Sequence, residues 1–221
     1  MISIEPFARG SDPHHRPSAP PTPSTAADDA TDPIASAVRG LMDALGLDRG
    51  DPHLADTDRR VARAWRELLA GHFAGPTPSL RTFPNEAGYR DALTVLDIPL
   101  HSICAHHLLP FFGRVHIAYL PGSRLLGLSK FTRLVEHLAR RPQVQERLTA
   151  QVADALEAAL ACRGLLVLVE ARHLCVEMRG VRSPASRTTT VAARGALAEG
   201  RAREEVLEMI TRDARREGGL P

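Results

Sequence analysis

A thiol and two imidazoles fall within four residues in Cys104-Ala105-His106-His107, and an imidazole and a thiol recur two residues apart at His173 and Cys175. These are soft ligands of the kind zinc prefers. A Cys and a His three apart grip one ion from a single turn, and a thiolate from a distant strand completes a three-ligand set with a fourth tetrahedral position left for water. An open position distinguishes a catalytic zinc from a structural one. Two other readings fit the same residues: satisfied core side chains, or a cysteine nucleophile paired with histidine.

Two further stretches carry usable chemistry. Gly127-Leu128-Ser129-Lys130 with Arg133 sets a hydroxyl and two cations at a helix start, where free N–H groups and the helix dipole favour an anion such as a phosphate; an ordinary cap with solvated cations is the plainer alternative. Arg179 adds a cation shortly after Cys175. In Gln143-Val144-Gln145-Glu146-Arg147 the glutamate suits a helix N-terminus for dipole reasons alone. A carboxylate is also an acceptor-only group, matched to the paired N1–H and 2-amino donors of guanine.

The elements that must position these groups follow from periodicity. Of 221 residues, those from Met1 to about Asp32 are crowded with Pro, Ser, Ala and Asp and show no period, which predicts a disordered tail over 1–32 and one domain over 33–221. Helices are expected from Pro33 (Ile34, Val38, Leu41, Met42, Leu45) and from Thr57 or Asp56 to Gly71, then an irregular connection over 71–90. Strands follow through Leu93, Val95 and Ile98 and over Val115 to Leu120. A helix capped by Ser129 and a longer one from Val144 to a Gly164 cap come next. Leu165 to Val169 reads as a strand running on through His173 and Cys175, with Thr188 to Ala193 as its partner, and a last helix carries Val206, Leu207 and Ile210. This order predicts an α+β fold with an antiparallel sheet.

A net charge of +2 with 24% charged residues gives no global steering toward nucleic acid or anionic lipid. Three cysteines do not make a disulfide framework, and neither a secretory signal nor a membrane-spanning apolar run is visible, so a reducing cytoplasm is expected.

From about Thr57 to Leu197 the chain resembles GTP cyclohydrolase I. The resemblance runs through Cys104-Ala105-His106-His107-Leu108-Leu109-Pro110-Phe111, His116-Ile117-Ala118-Tyr119, Gly127-Leu128-Ser129-Lys130, Arg141 to Thr149, His173-Leu174-Cys175 and Arg179-Gly180-Val181. It implies a T-fold, an antiparallel sheet with helices on one side plus N-terminal helices. It also implies assembly into a homodecamer with active sites between subunits. Cys104, His107 and Cys175 take the places of the Zn2+ ligands, and His106 and His173 those of the catalytic histidines. Ser129, Lys130, Arg133 and Arg179 look like triphosphate and sugar contacts, Gln145 and Glu146 like the guanine pocket, and Arg60 like an arginine reaching a neighbour's phosphates. The implied reaction turns GTP into 7,8-dihydroneopterin triphosphate with release of formate. A related cyclohydrolase giving a cyclic phosphate, or a catalytically weak nucleotide- or pterin-binding subunit, are the competing expectations.

Three positions depart from the family pattern. Ala105 stands where a glutamate is usual, Asp58 where a proline is usual, and Leu96 where a basic or amide residue is common.

Overall fold

The computed structural model of the protein describes residues 32–216. The expected disordered tail lies, apart from Asp32, outside the described residues. The chain divides into two compact units, one up to Ala62 and the other from Arg63 onward.

In the first unit, helix α1 (Pro33–Ala44) starts where Asp32 accepts a hydrogen bond from the Ile34 N–H at 2.9 Å and a proline occupies the first turn, whose N–H groups lack helical partners in any case. Gly46, at φ +69°, follows its end. Helix α2 (Thr57–Leu68) begins in this unit and runs into the next. Asp58 takes a 2.6 Å ion pair from Arg39 of α1. Burial alone would raise the Asp58 carboxyl, but the bond and charge of Arg39, with those of Arg59, hold it below its usual range. The proline expected there could supply no such pairing.

The second unit is built on a five-stranded sheet. Its elements are α3 (Ala70–Phe73), β1 (Thr82–Pro84), β2 (Leu93–Cys104), β3 (Pro110–Leu120), β4 (Arg124–Leu126), α4 (Leu128–Ala139), β5 (Pro142–Gln143), α5 (Gln145–Leu160), β6 (Gly164–His173), α6 (Leu174–Glu177), β7 (Thr188–Gly195) and α7 (Arg201–Arg216). The order is β5-β2-β3-β6-β7, antiparallel except for the two-residue parallel pairing of β5 with β2, so the sheet is mixed. Strands β1 and β4 form a separate antiparallel pair.

Alternation along the strands divides the core. Phe111, Val115, Ile117 and Tyr119 of β3 and Leu165, Val167, Val169 and Ala171 of β6 face α4 and α5, which contribute Phe131, Leu134, Leu148, Val152, Leu156 and Leu160. Each fully buried side chain of this size contributes about 1.5–3 kcal/mol. The opposite face is covered as well. Ala118, Leu166 and Leu168 pack under Leu197, Val206 and Ile210, so α7 lies across from α4 and α5, and the expectation of helices on one side only is corrected. The extra cover follows from Leu166, Leu168 and Ala118 being apolar on what would otherwise be a wet face. Leu96 packs against this second cluster, which accounts for an apolar residue at that position.

Other boundaries also differ from expectation. Gly127, not Ser129, precedes α4, and α5 ends at Ala161 in the left-handed region at φ 43°, leaving Gly164 to open β6. The stretch 71–90 contains β1 and most of α3.

Glycine at 113 is required by close approach between strands. A Cβ there would stand 1.9 Å from the Glu170 carbonyl oxygen and 2.7 Å from the Ala171 Cα, both backbone atoms. Gly113→Ala is therefore expected to cost at least about 1–3 kcal/mol, read as a lower urea midpoint. Val191→Thr, on the outer strand, is expected to stay within about 0.5 kcal/mol. An unchanged midpoint for the alanine variant would mean that the two strands do not meet this closely.

Candidate active site

Strand β2 ends on Cys104 and β3 starts on Pro110, so the Cys104-to-Leu109 segment is the tip of a hairpin. The Leu108 N–H returns to the Cys104 carbonyl at 2.8 Å and the Cys104 N–H reaches the Leu109 carbonyl at 2.9 Å. Leu108 takes φ +53° to close this turn. The Nδ1 atoms of His107 and His106 consequently lie 3.8 and 4.0 Å from the Cys104 sulfur. The Ala105 N–H donates to the Gln143 carbonyl at 2.8 Å, tying the turn to β5. Gln143 is itself fixed by bonds from its amide to the Leu138 carbonyl and Gln151, and by the Arg147 guanidinium.

The second half of the site arrives on β6. Register pairs His173 with Phe111, and their rings stack with centroids 4.6 Å apart and 8° between planes. Immediately afterward the chain turns into the single helical turn α6, which corrects the expectation that Cys175 continues the strand. A strand would have set His173 and Cys175 side by side on one face. The turn instead brings the Cys175 sulfur to 3.9 Å from that of Cys104. Arg172 and Glu177 brace the turn with two bonds of 2.9 and 2.8 Å, and the arginine holds the Glu177 carboxyl below its usual range.

Among the described residues, Cys104, His107 and Cys175 form a group whose ligand atoms all lie within 4.8 Å of one another. Bonds of about 2.3 Å to sulfur and about 2.0 Å to nitrogen at tetrahedral angles put ligand atoms roughly 3.5–3.8 Å apart. The observed 3.9 Å between sulfurs and 3.8 Å from sulfur to imidazole agree with that arrangement. Burial and the adjacent Cys104 sulfur push the Cys175 thiol up, while Arg179 draws it down. Two packed thiols resist ionising together unless a multivalent cation offsets their charge. The donor set therefore fits a metal. His106 lies outside the mutual group, beside Cys104.

His173 directly precedes α6, two residues before Cys175. Its ring is driven down in pKa by burial, offset in part by the charges of Glu146 and Glu177. Its Nε2 lies 2.7 Å from the Gln145 side-chain oxygen. Glu146 is exposed, whereas Gln145, its neighbour in the expected guanine pocket, is buried with its amide engaged inside the chain. Ser129, Lys130 and Arg133 lie on the first turns of α4, outside the ion pairs of the described residues, and no hydrogen bond joins them to the Cys–His–Cys group. Arg179 follows α6 and is exposed. Arg60 belongs to the first unit, where its guanidinium bonds the His53 carbonyl at 3.0 Å and the Thr57 hydroxyl at 3.3 Å. Sequence reasoning missed Phe111, Gln143, Thr149 and Thr190 as supports of the site. Thr149 could have been found, because it lies one helical turn after Gln145.

Comparison with known proteins agrees with this geometry. The sequence model of the family described as GTP cyclohydrolase I matches residues 34–211. GTP cyclohydrolase 1 of Mycobacteroides abscessus is 50% identical over 180 residues, covering 80% of this chain and 88% of that protein. The Mycobacterium ulcerans protein of the same name is 49% identical over 180 residues, covering 80% and 89%. A crystal structure of archaeosine synthase QueF-Like in the apo form aligns with a TM-score of 0.37 and 16% identity over 49% of this chain and 95% of that one, too slight a likeness to bear on the fold.

If the three-residue group holds the metal, Cys175→Ala loses stoichiometric zinc by elemental analysis, whereas Cys162→Ala, outside the group, retains it. Full zinc content in the Cys175 variant would remove that residue from the site.

Proposed function

This chain belongs to the GTP cyclohydrolase I family, and from that premise we propose the reading of its site that follows. The protein is a GTP cyclohydrolase I: it hydrolyses and rearranges GTP to 7,8-dihydroneopterin triphosphate and releases formate. Half of the aligned residues are identical across 80% of the chain, and the Cys104–His107–Cys175 group lies within that length; this observation carries the conclusion.

Cys104, His107 and Cys175 would hold zinc, which when bound supplies Lewis acidity that makes water a nucleophile at neutral pH. Glu146, exposed at the start of α5, accepts the N1–H and 2-amino protons of guanine and so sets the purine in place. Adenine lacks that donor pair. Ser129, Lys130 and Arg133 at the start of α4, with Arg179, hold the triphosphate, where the helix N-terminus already favours negative charge. His106 and His173 move protons as C8 leaves as formate, which takes two waters: protons are taken from each attacking water and given to N9 as the C8–N9 bond breaks and then to N7 as the C8–N7 bond breaks. The ribose then rearranges and closes the new ring.

The same premise supports the T-fold and a decamer in which sites form between subunits. That assembly would bring Arg60 to the phosphates bound by a neighbouring subunit. No helix among the described residues is long and apolar enough to cross a membrane, and the reading places the protein in the cytoplasm.

Zinc-loaded protein incubated with GTP is expected to release formate and to give a product that becomes a fluorescent pterin on oxidation. Bound GTP without formate would leave a nucleotide-binding subunit instead. Glu146→Gln keeps size and replaces an acceptor with a donor, so turnover should fall by up to about 10⁴-fold while zinc remains; parental turnover would remove Glu146 from the base pocket. Ala105 is only partly buried and bonds through its backbone. Ala105→Glu is accordingly tolerated and raises turnover, and a loss of zinc or activity in that variant would count against a supporting role for a carboxylate there.

A further inference from the structure

Gln145 is the first residue of α5 and only 2% exposed, yet its polar end is fully occupied. Its side-chain nitrogen lies 3.1 Å from the Val169 carbonyl, 2.9 Å from the Thr188 carbonyl and 3.2 Å from the Thr190 hydroxyl. Carbonyl oxygens only accept, so the amide must present its NH2 to this side. The amide oxygen is thereby turned to the His173 ring, whose Nε2 lies at 2.7 Å. An amide oxygen also only accepts, so Nε2 carries the hydrogen in that bond.

The hydroxyls nearby agree with this polarity. Thr149 donates to the Gln145 main-chain carbonyl at 2.8 Å. With its proton so committed, Thr149 accepts from Thr190 at 2.7 Å, which leaves the Thr190 oxygen as an acceptor for the Gln145 amide. Every hydrogen from Thr149 to His173 then has one direction, set by three main-chain carbonyls. The Phe111 ring, parallel to His173 at 4.6 Å, holds the plane of the imidazole.

We propose that Gln145 is a positioning residue that fixes the His173 ring by accepting its Nε2–H, leaving Nδ1 as the nitrogen through which protons pass to and from the purine. Gln145 then supports the histidine and does not contact guanine, which revises the role its place beside Glu146 suggests. The inference rests on the assignment of His173 to proton transfer. In catalytic terms, holding the proton on Nε2 removes the fraction of enzyme whose lone pair points away from the substrate.

Neutron diffraction from deuterium-exchanged crystals of the zinc-loaded protein, grown above pH 8, tests this bond without reference to turnover. A deuteron on His173 Nε2, directed at the Gln145 oxygen, is expected, and a bare Nε2 overturns the proposal. Kinetics test the role. Gln145→Met keeps length and removes both bonds, so kcat should fall about 10²-fold with zinc content and GTP affinity within about twofold of parental. Val191→Thr, on the same strand but outside this chain of bonds, should stay within about threefold. Weakened GTP binding with unchanged kcat in the Met variant would make Gln145 a base contact and overturn the positioning role. Failure of the parental protein to release formate would instead fall on the enzyme assignment, with the neutron result still readable.

Discussion

The alignment of β3 with β6 is the constraint on which the site depends. It pairs Phe111 with His173, and through that pairing the hairpin tip bearing Cys104 meets the turn bearing Cys175. A slip of one residue would reverse every side chain of β6 between the two faces. Leu165, Val167 and Val169 would exchange places with Leu166 and Leu168, and because both faces are apolar, burial alone would discriminate weakly. Two features fix the register instead. Gly113 admits the Glu170 carbonyl where no other residue could, and Phe111 stacks flat on His173.

Around this pairing the polar interior is arranged with directed bonds. Gln143 ties β5 to the hairpin tip, Gln145 ties α5 to His173, and Arg172 ties β6 to α6. Burial of amides is costly unless each atom is bonded, and here the partners include the main-chain carbonyls of Leu138, Val169 and Thr188, which cannot rotate away. The helix N-terminus of α5 thus serves the site twice. Gln145 points inward and bonds His173, and Glu146, one position on, is exposed.

Much of this was legible in the residue pattern. Spacing pointed to two clusters of soft ligands, the family resemblance picked Cys104, His107 and Cys175 from them, and the 3.6-residue period found α1, α4, α5 and α7. What pattern reasoning mistook has physical causes. Residues 174–177 lack the length that makes a helix visible as a period, so α6 was absorbed into the preceding strand. Leu166 and Leu168 alternate with Leu165 and Val167 in an unbroken apolar run, which announces burial but not which element covers each face, so the cover by α7 was missed. The resemblance sets Gln145 beside Glu146, and only the fold shows that its side-chain oxygen lies 2.7 Å from His173. The departures at Asp58 and Leu96 were visible as departures, while their partners, Arg39 and the second apolar cluster, required the fold.

Cys104 and Cys175 are separated by 71 residues, and the segment between them includes β3, α4, α5 and β6. Their meeting therefore closes a long loop, an entropic step that local helix formation does not accomplish. Cation binding is then coupled to the complete native topology, and ligand occupancy adds to the unfolding free energy by mass action. Were a metal held by this group, a chelator would act as a denaturant in disguise, drawing down the population of folded molecules as well as emptying the site.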